Sequence, residues 1–482
     1  GTNTESLLLP LARTAQHAGT HAAVHARRAS WAAHRASRPA TIYYCREGRT
    51  HAGGGMLAIL ALAGVAVPGP RTAHLGSTTT LAPPRSRIAA AMRRNGSSLP
   101  AGGAVWPTAI YWAMLQVGTP PRSFPAAIDS GSGDLDIAAL GCDGCVTAPP
   151  NNQYDHAASS TSKPAFPFVF RNTYETCDLK HPTKPCSIGG KLYTDVVSMG
   201  GLGPVPVKLG AIESQDTNFD QFAQIDGVVG FTSGGSEDVF SQLVAAKACD
   251  NIWSICMHRG SKSNGTLTLG GVDSRLSDGP MVYVPDVGRG FRAVQVASFT
   301  LVKSTSSAAV AAGTAALPVT LPVQRSAILD TGTNVLLLPP ELLSRLGQAM
   351  CADARLAHCR TLWGDPLSSN SCVALSEAEV DAYPSLRMQL DGTALEMSGR
   401  DYLLRGSPLA SHGGEYCLGI RSGGELFIIG DTTMRNYLLA FDLGGRRVGW
   451  APVNRKRGGC GSVDEGEVPA KHAVEITRAE VR

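Results

Sequence analysis

From Tyr111 to Val453 the chain runs as apolar stretches of four to eight residues, many alternating, divided by Gly, Pro, Asn and Asp, as in YVPDVGRGFRAVQVASFTLV (283–302). Alternation at period two sends successive side chains to opposite faces of an extended strand, so the pattern predicts a mainly β architecture. Two segments carry helical spacing instead. One is EDVFSQLVAAKAC (237–249); the other is PELLSRLGQAM (340–350), with Pro in its first turn and apolar residues at 342, 343, 346 and 350. The low-complexity run KSTSSAAVAAGTAALP (303–318) reads as an exposed loop, and the polar, charged residues 455–482 read as a loosely ordered tail.

The N-terminal region follows a different pattern. Residues 1–55 are rich in Ala, Arg and His without a sustained apolar period, and are expected to be a disordered or mis-annotated leader. His17, His21 and His25 share helical spacing, but no acidic or Cys ligand accompanies them, so a metal site is not expected there. Met56 opens MLAILALAGVAVPGPRTA (56–73), which has the apolar run and small-residue end of a secretory signal peptide. An Arg-rich organelle transit peptide over 1–55 is the competing reading.

Charge sharpens this division. The first 100 residues hold twelve Arg against Glu5 and Glu47, whereas residues 101–482 hold 31 basic and 37 acidic residues, a net of about −6. An acidic body gives little support to nucleic-acid binding. The basic residues of 74–104 are expected to form a propeptide held electrostatically over the acidic body. No apolar run approaches the roughly 18 residues of a membrane span, so a soluble chain is expected. At 482 residues the chain can bury a large core in two or three domains.

Ten of the twelve cysteines lie between Cys142 and Cys417. Cys142 and Cys145 have C-x2-C spacing, which suits zinc or a redox pair, but the remaining sets 177/186, 249/256, 351/359 and 372/417 supply no matching pair. Local disulfides in a secreted protein account for the spacings better: Cys142, Cys145, Cys177, Cys186, Cys249, Cys256, Cys351, Cys359, Cys372 and Cys417 are all candidates. Cys45 and Cys460 are left without a partner. Asn264, in an N-x-[ST] triplet among turn residues, is a glycosylation candidate; Asn95 has the same triplet within the basic segment.

One element occurs twice. AAIDSGSGDLDI (126–137) and AILDTGTNVLLL (327–338) each run an apolar strand into Asp, a hydroxyl residue and Gly, then turn apolar again. A carboxylate at a strand end, followed by hydroxyl and Gly, sits in a tight turn where N–H and O–H groups can hydrogen-bond it. A single D-[ST]-G is common by chance. Two copies, each about 100 residues ahead of an apolar-apolar-Gly segment (IDGVVGF, 225–231; LFIIGD, 426–431), are not.

On these motifs the chain resembles the pepsin family of aspartic peptidases from about Tyr111 through Val453. YWAMLQVGTPP (111–121) is similar to the family's entry strand, TLTLGGVDSRL (266–276) to the end of its first lobe, and IGDTTMRNYLLAFD (429–442) to the segment closing its second. The resemblance implies an all-β, bilobal pepsin-like fold, with one β lobe over 105–282 and a related one over 283–454, and the active-site cleft between them. It implies Asp129 and Asp330 as the catalytic pair sharing a water, supported by Ser130, Gly131, Ser132, Thr331, Gly332 and Thr333. It also pairs Cys142 with Cys145 and Cys372 with Cys417. The implied activity is acid-favoured endopeptidase cleavage of a polypeptide bound extended in the cleft, by a monomer with no metal or other cofactor. The implied location is the secretory pathway, with secretion or delivery to a vacuole or lysosome. The alternative reading is a catalytically inactive member that binds peptides or inhibits another enzyme.

Three departures from the family pattern bear on the site. Asp136 stands seven residues after the first Asp, where the family usually has the Trp that hydrogen-bonds its flap Tyr. The flap stretch FRNTYETCDLKHPTKPCSIGGKLYTD (170–195) carries an insertion bracketed by Cys177 and Cys186, and Tyr174 is its candidate flap Tyr. Ser130 replaces the customary Thr and keeps the hydroxyl.

Overall fold

The computed structural model describes residues 96–104, 110–145, 152–175, 177, 185–216, 225–232, 238–257, 265–303, 317–364, 372–407, 409–454 and 459–461. The leader, the signal-like segment, residues 74–95, Asn264, most of 303–318, residues 178–184 and the end of the tail lie outside them. No described helix is long and apolar enough to cross a membrane.

The alternating pattern becomes strand, giving the two-lobed, all-β pepsin-like fold. Both expected helices form, as Val239–Ala245 and Pro340–Met350. Asp238 caps the first through a 2.8 Å bond from the Ser241 N–H, and Leu342, Leu343, Leu346 and Met350 bury one stripe of the second. Short helices at Cys359–Trp363, Glu377–Ala382, Gly399–Tyr402 and Asp431–Met434 are too brief for periodicity to reveal.

The duplication in sequence is a duplication of topology. In the first lobe, strand Arg122–Asp129 runs parallel to Gly227–Gly230, which is antiparallel to Leu135–Asp143, which in turn is parallel to Leu202–Gln215. In the second lobe, Val319–Leu329 runs parallel to Ile428–Ile429, which is antiparallel to Leu336–Leu338, itself parallel to Ile420–Ser422. Each distant apolar-apolar-Gly segment is therefore wedged between the two strands that flank an Asp turn. Glycine is required where the wedge ends. A Cβ on Gly230 would come 2.5 Å from the Ser132 carbonyl oxygen, and one on Gly430 would come 2.2 Å from that of Thr333.

The sheets cross the linear lobe boundaries. Strands Tyr437–Asp442 and Arg447–Pro452 join Ile252–Cys256 in one 13-stranded sheet that continues into the first lobe. Ser97–Ala104, inside the basic segment, pairs with both Ile110–Val117 and Gly265–Leu269 in this sheet. Trp253 stacks on Phe441 with centroids 4.1 Å apart and touches Phe231, so buried aromatic rings fasten the crossing strands together.

Disulfides join Cys142–Cys145, Cys177–Cys186, Cys351–Cys359, Cys372–Cys417 and Cys256–Cys460. The expected grouping of Cys249 with Cys256 is corrected: Cys256 takes the far-distant Cys460, and Cys249 is a buried free thiol. The reason is strand geometry. Cys256 ends the extended run Ile252–Cys256, roughly 13 Å long, and disulfide Cα atoms must lie within about 7 Å. Burial pushes the Cys249 thiol up to about 12, so little thiolate exists at neutral pH. Iodoacetamide is expected to label Cys249 only after denaturation, and non-reduced peptide mapping to recover Cys256 linked to Cys460. Labelling of native Cys249, or a Cys249–Cys256 peptide, would contradict this arrangement.

Candidate active site

The two Asp turns meet at the ends of strands Arg122–Asp129 and Val319–Leu329. Each carboxylate is held in the same way. The Gly131 N–H donates to Asp129 Oδ1 at 2.7 Å and the Ser132 hydroxyl to Oδ2 at 2.5 Å. The Gly332 N–H donates to Asp330 Oδ1 at 2.8 Å and the Thr333 hydroxyl to Oδ2 at 2.6 Å. Both Asp residues are buried, at 6% and 8% exposure.

Ser130 and Thr331 act differently from the sequence expectation that they supply hydroxyls around the carboxylates. They lock the turns to each other. The Ser130 N–H donates to Thr331 Oγ1 at 2.9 Å while its hydroxyl donates to the Leu329 carbonyl. In return the Thr331 N–H donates to Ser130 Oγ at 3.0 Å and its hydroxyl to the Ile128 carbonyl at 2.7 Å. Each fully buried hydroxyl thus donates once and accepts once across the lobe junction. Serine at 130 completes this pattern as well as Thr does at 331.

The lock brings the carboxylates together. A Cβ on Gly131 would lie 2.7 Å from Asp330 Oδ1, and one on Gly332 would lie 2.8 Å from Asp129 Oδ1. Each turn's glycine therefore leaves room for the other turn's carboxylate. Burial holds the Asp129 carboxyl well above the usual carboxylate range, and the adjacent Asp330 charge raises it further against the bonds from Ser132 and Gly131.

Asp431 was not singled out by sequence reasoning. It follows Gly430 as Phe231 follows Gly230, so aligning the two repeats would have exposed a carboxylate at an apolar position. It is fully buried, its N–H donates to the Thr333 carbonyl at 2.8 Å, and neither side-chain oxygen accepts a hydrogen bond among the described residues. Burial pushes its carboxyl far up, with Asp330 adding and Arg435 opposing.

Tyr174 ends strand Lys163–Tyr174, opposite Cys186 in a hairpin with Cys186–Met199 whose tip the Cys177–Cys186 disulfide ties. Its hydroxyl donates to Asp136 Oδ2 at 3.2 Å, and Asn172 Nδ2 donates to the same oxygen at 2.8 Å. Sequence reasoning missed Asn172.

Comparisons with known proteins agree with this architecture. The sequence profile described as eukaryotic aspartyl protease matches residues 110–453. Bovine (Bos taurus) pepsin A is 25% identical over 351 residues, covering 71% of this chain and 84% of the relative. Pepsin A of Sus scrofa and gastricsin of Mus musculus are each 25% identical, each covering 71% of this chain and 81% of the relative. With a profile match over most of its length and the doubled Asp turn in place, the chain belongs to the eukaryotic aspartyl protease family.

Proposed function

We propose that the protein is an aspartic endopeptidase in which Asp129 and Asp330 activate a water for attack on a peptide bond. The observation that carries this reading is the pair of buried carboxylates, each with the same two donors and each facing the other's glycine. Two like charges so close cannot both ionise cheaply, so the pair shares a proton. The ionised member takes a proton from the water as it adds to the carbonyl. The protonated member hydrogen-bonds the carbonyl oxygen, and the proton is then returned to the leaving nitrogen. The N–H and O–H donors behind the carboxylates hold them in place for both steps.

The substrate is a polypeptide bound extended in the cleft, and a shared proton makes turnover favour acid. The five disulfides among the described residues suit an oxidising compartment, which fits secretion or delivery to a vacuole or lysosome. The test is cleavage of denatured globin from about pH 3 to 7 by the processed protein, with and without a statine-type transition-state mimic. Acid-favoured cleavage that the mimic blocks is expected. A folded, processed protein that binds the mimic but cleaves nothing at any pH would overturn the reading in favour of an inactive peptide-binding member.

A further inference from the structure

The hairpin strand Lys163–Tyr174 is the edge of the 13-stranded sheet, and it is poorly covered. Phe166, Phe168 and Val169 are 80%, 56% and 64% exposed. Only its last turn of alternation faces inward. Phe170, Asn172 and Tyr174 are half-buried while Arg171, Thr173 and Glu175 are exposed. All three inward side chains converge on one residue. Asn172 and Tyr174 hydrogen-bond Asp136 Oδ2, and the Phe170 ring and Asp136 Oδ1 lie together over Gly210, where a Cβ would fall 2.6 Å and 2.2 Å from them.

We propose that Asp136 is the positioning residue of this hairpin, a buried carboxyl that receives Tyr174 and Asn172 and thereby fixes the hairpin's inward edge against the first lobe. The polarity is the reverse of a Trp–Tyr contact: an indole N–H can only donate to the phenol, whereas Asp136 makes the phenol the donor. The significance for turnover rests on the peptidase reading, because the hairpin then borders the substrate; the Asp129 charge acts on the Tyr174 phenol, which places that phenol in the electrostatic reach of the dyad.

A carboxyl gives this grip a dependence on pH that an indole would lack. Asp136 is 1% exposed, and burial pushes its carboxyl up to about 7, with Asp134 adding and the bonds from Asn172 and Tyr174 opposing. The groups facing it are Asp134 in its own turn, also bonded by Asn172 at 3.1 Å, and Tyr174 on the hairpin. Its neighbours on the two flanking strands, Gly210 and Val228, are uncharged. With the folded value raised, the stabilisation is complete below the ordinary carboxylate range and is lost as pH rises through neutrality. Above that point, opening the hairpin lets water reach the ionised carboxylate. The hairpin is therefore held shut in acid and loosened above neutral pH.

Amide hydrogen exchange of 163–174, corrected for the intrinsic rate, tests this directly. Wild-type protection is expected to fall by at least about tenfold between about pH 5 and pH 8.5. Asp136→Asn, which keeps a carbonyl acceptor but cannot ionise, should hold its protection across that range, and Tyr174→Phe should lose protection at both ends. The KM of a cleaved peptide should follow the same order, with Asp136→Asn close to wild type in acid. A wild-type profile that does not change with pH, or an Asp136→Asn profile parallel to it, would overturn the proposal. The exchange measurement needs no turnover, so absence of peptidase activity would strike the proposed function alone.

Discussion

Asp330→Asn and Asp129→Asn are each expected to reduce peptide cleavage by at least about a thousandfold while leaving a folded protein, since on the proposed mechanism each removes a group that serves as both acid and base. The substitution is nearly isosteric, and the turn that holds the side chain comes from backbone N–H and hydroxyl donors. One of those donors meets the new amide NH2 unfavourably, but the repulsion that, with burial, raises the Asp129 carboxyl is also relieved. The two effects on stability oppose each other, whereas both variants lose the shared proton. The measurement is kcat/KM on one peptide together with the thermal midpoint. Gly332→Ala is a companion: it keeps both carboxyls but would place a Cβ 2.8 Å from Asp129 Oδ1, and should also lose activity. A variant lacking either carboxylate that keeps more than a tenth of wild-type turnover would remove the dyad from the mechanism.

The second large effect is on stability. Asp129, Asp136, Asp238 and Asp431 are all buried and all held above the ordinary carboxylate range, with burial the first cause at each. An acid whose folded value is raised contributes stability that is complete below its unfolded value and is lost as pH climbs through the folded one. The fold should therefore be most stable in mild acid. Between about pH 5 and 8 Asp136 alone should cost on the order of 3 kcal/mol, taking about 1.4 kcal/mol for each unit over which the folded group stays protonated and the unfolded one does not. Thermal melts across that range should show a midpoint that drops toward alkali, with a smaller drop in Asp136→Asn. A midpoint that rises from pH 5 to 8 would overturn this account, because carboxylates with lowered values such as Glu377 and Asp381 are ionised in both the folded and unfolded states over that range and add no slope.

Legibility from sequence followed the range of the signal. Period-two alternation gave the strands, and helical spacing gave the two longer helices, because both are local. The Asp turns were legible because a duplicated motif is improbable by chance. Pairing between remote segments was not. Nothing local joins Cys256 to Cys460, and the neighbouring Cys249 is the nearer partner on any count of spacing. The roles of the hydroxyls divide between positions 130 and 132 according to which way each side chain leaves the turn, a property of backbone geometry that residue type does not carry. Asn172, and the contacts of Asp136 though not its unusual position, were opaque for a related reason. Read singly, neither residue points to the other; their pairing arises when a hairpin folds one over the other.

The exchange of hydrogen bonds between Ser130 and Thr331 joins positions 201 residues apart. A ribosome adding about 5–20 residues per second needs some tens of seconds to pass from one to the other. During that interval the first turn is already made and its partner does not exist. The strands Tyr437–Asp442 and Arg447–Pro452, which close the shared sheet, emerge later still. On the peptidase reading, the nascent chain carries one Asp turn without the other until the second has been synthesised, so the order of translation delays assembly of the dyad until late in the chain.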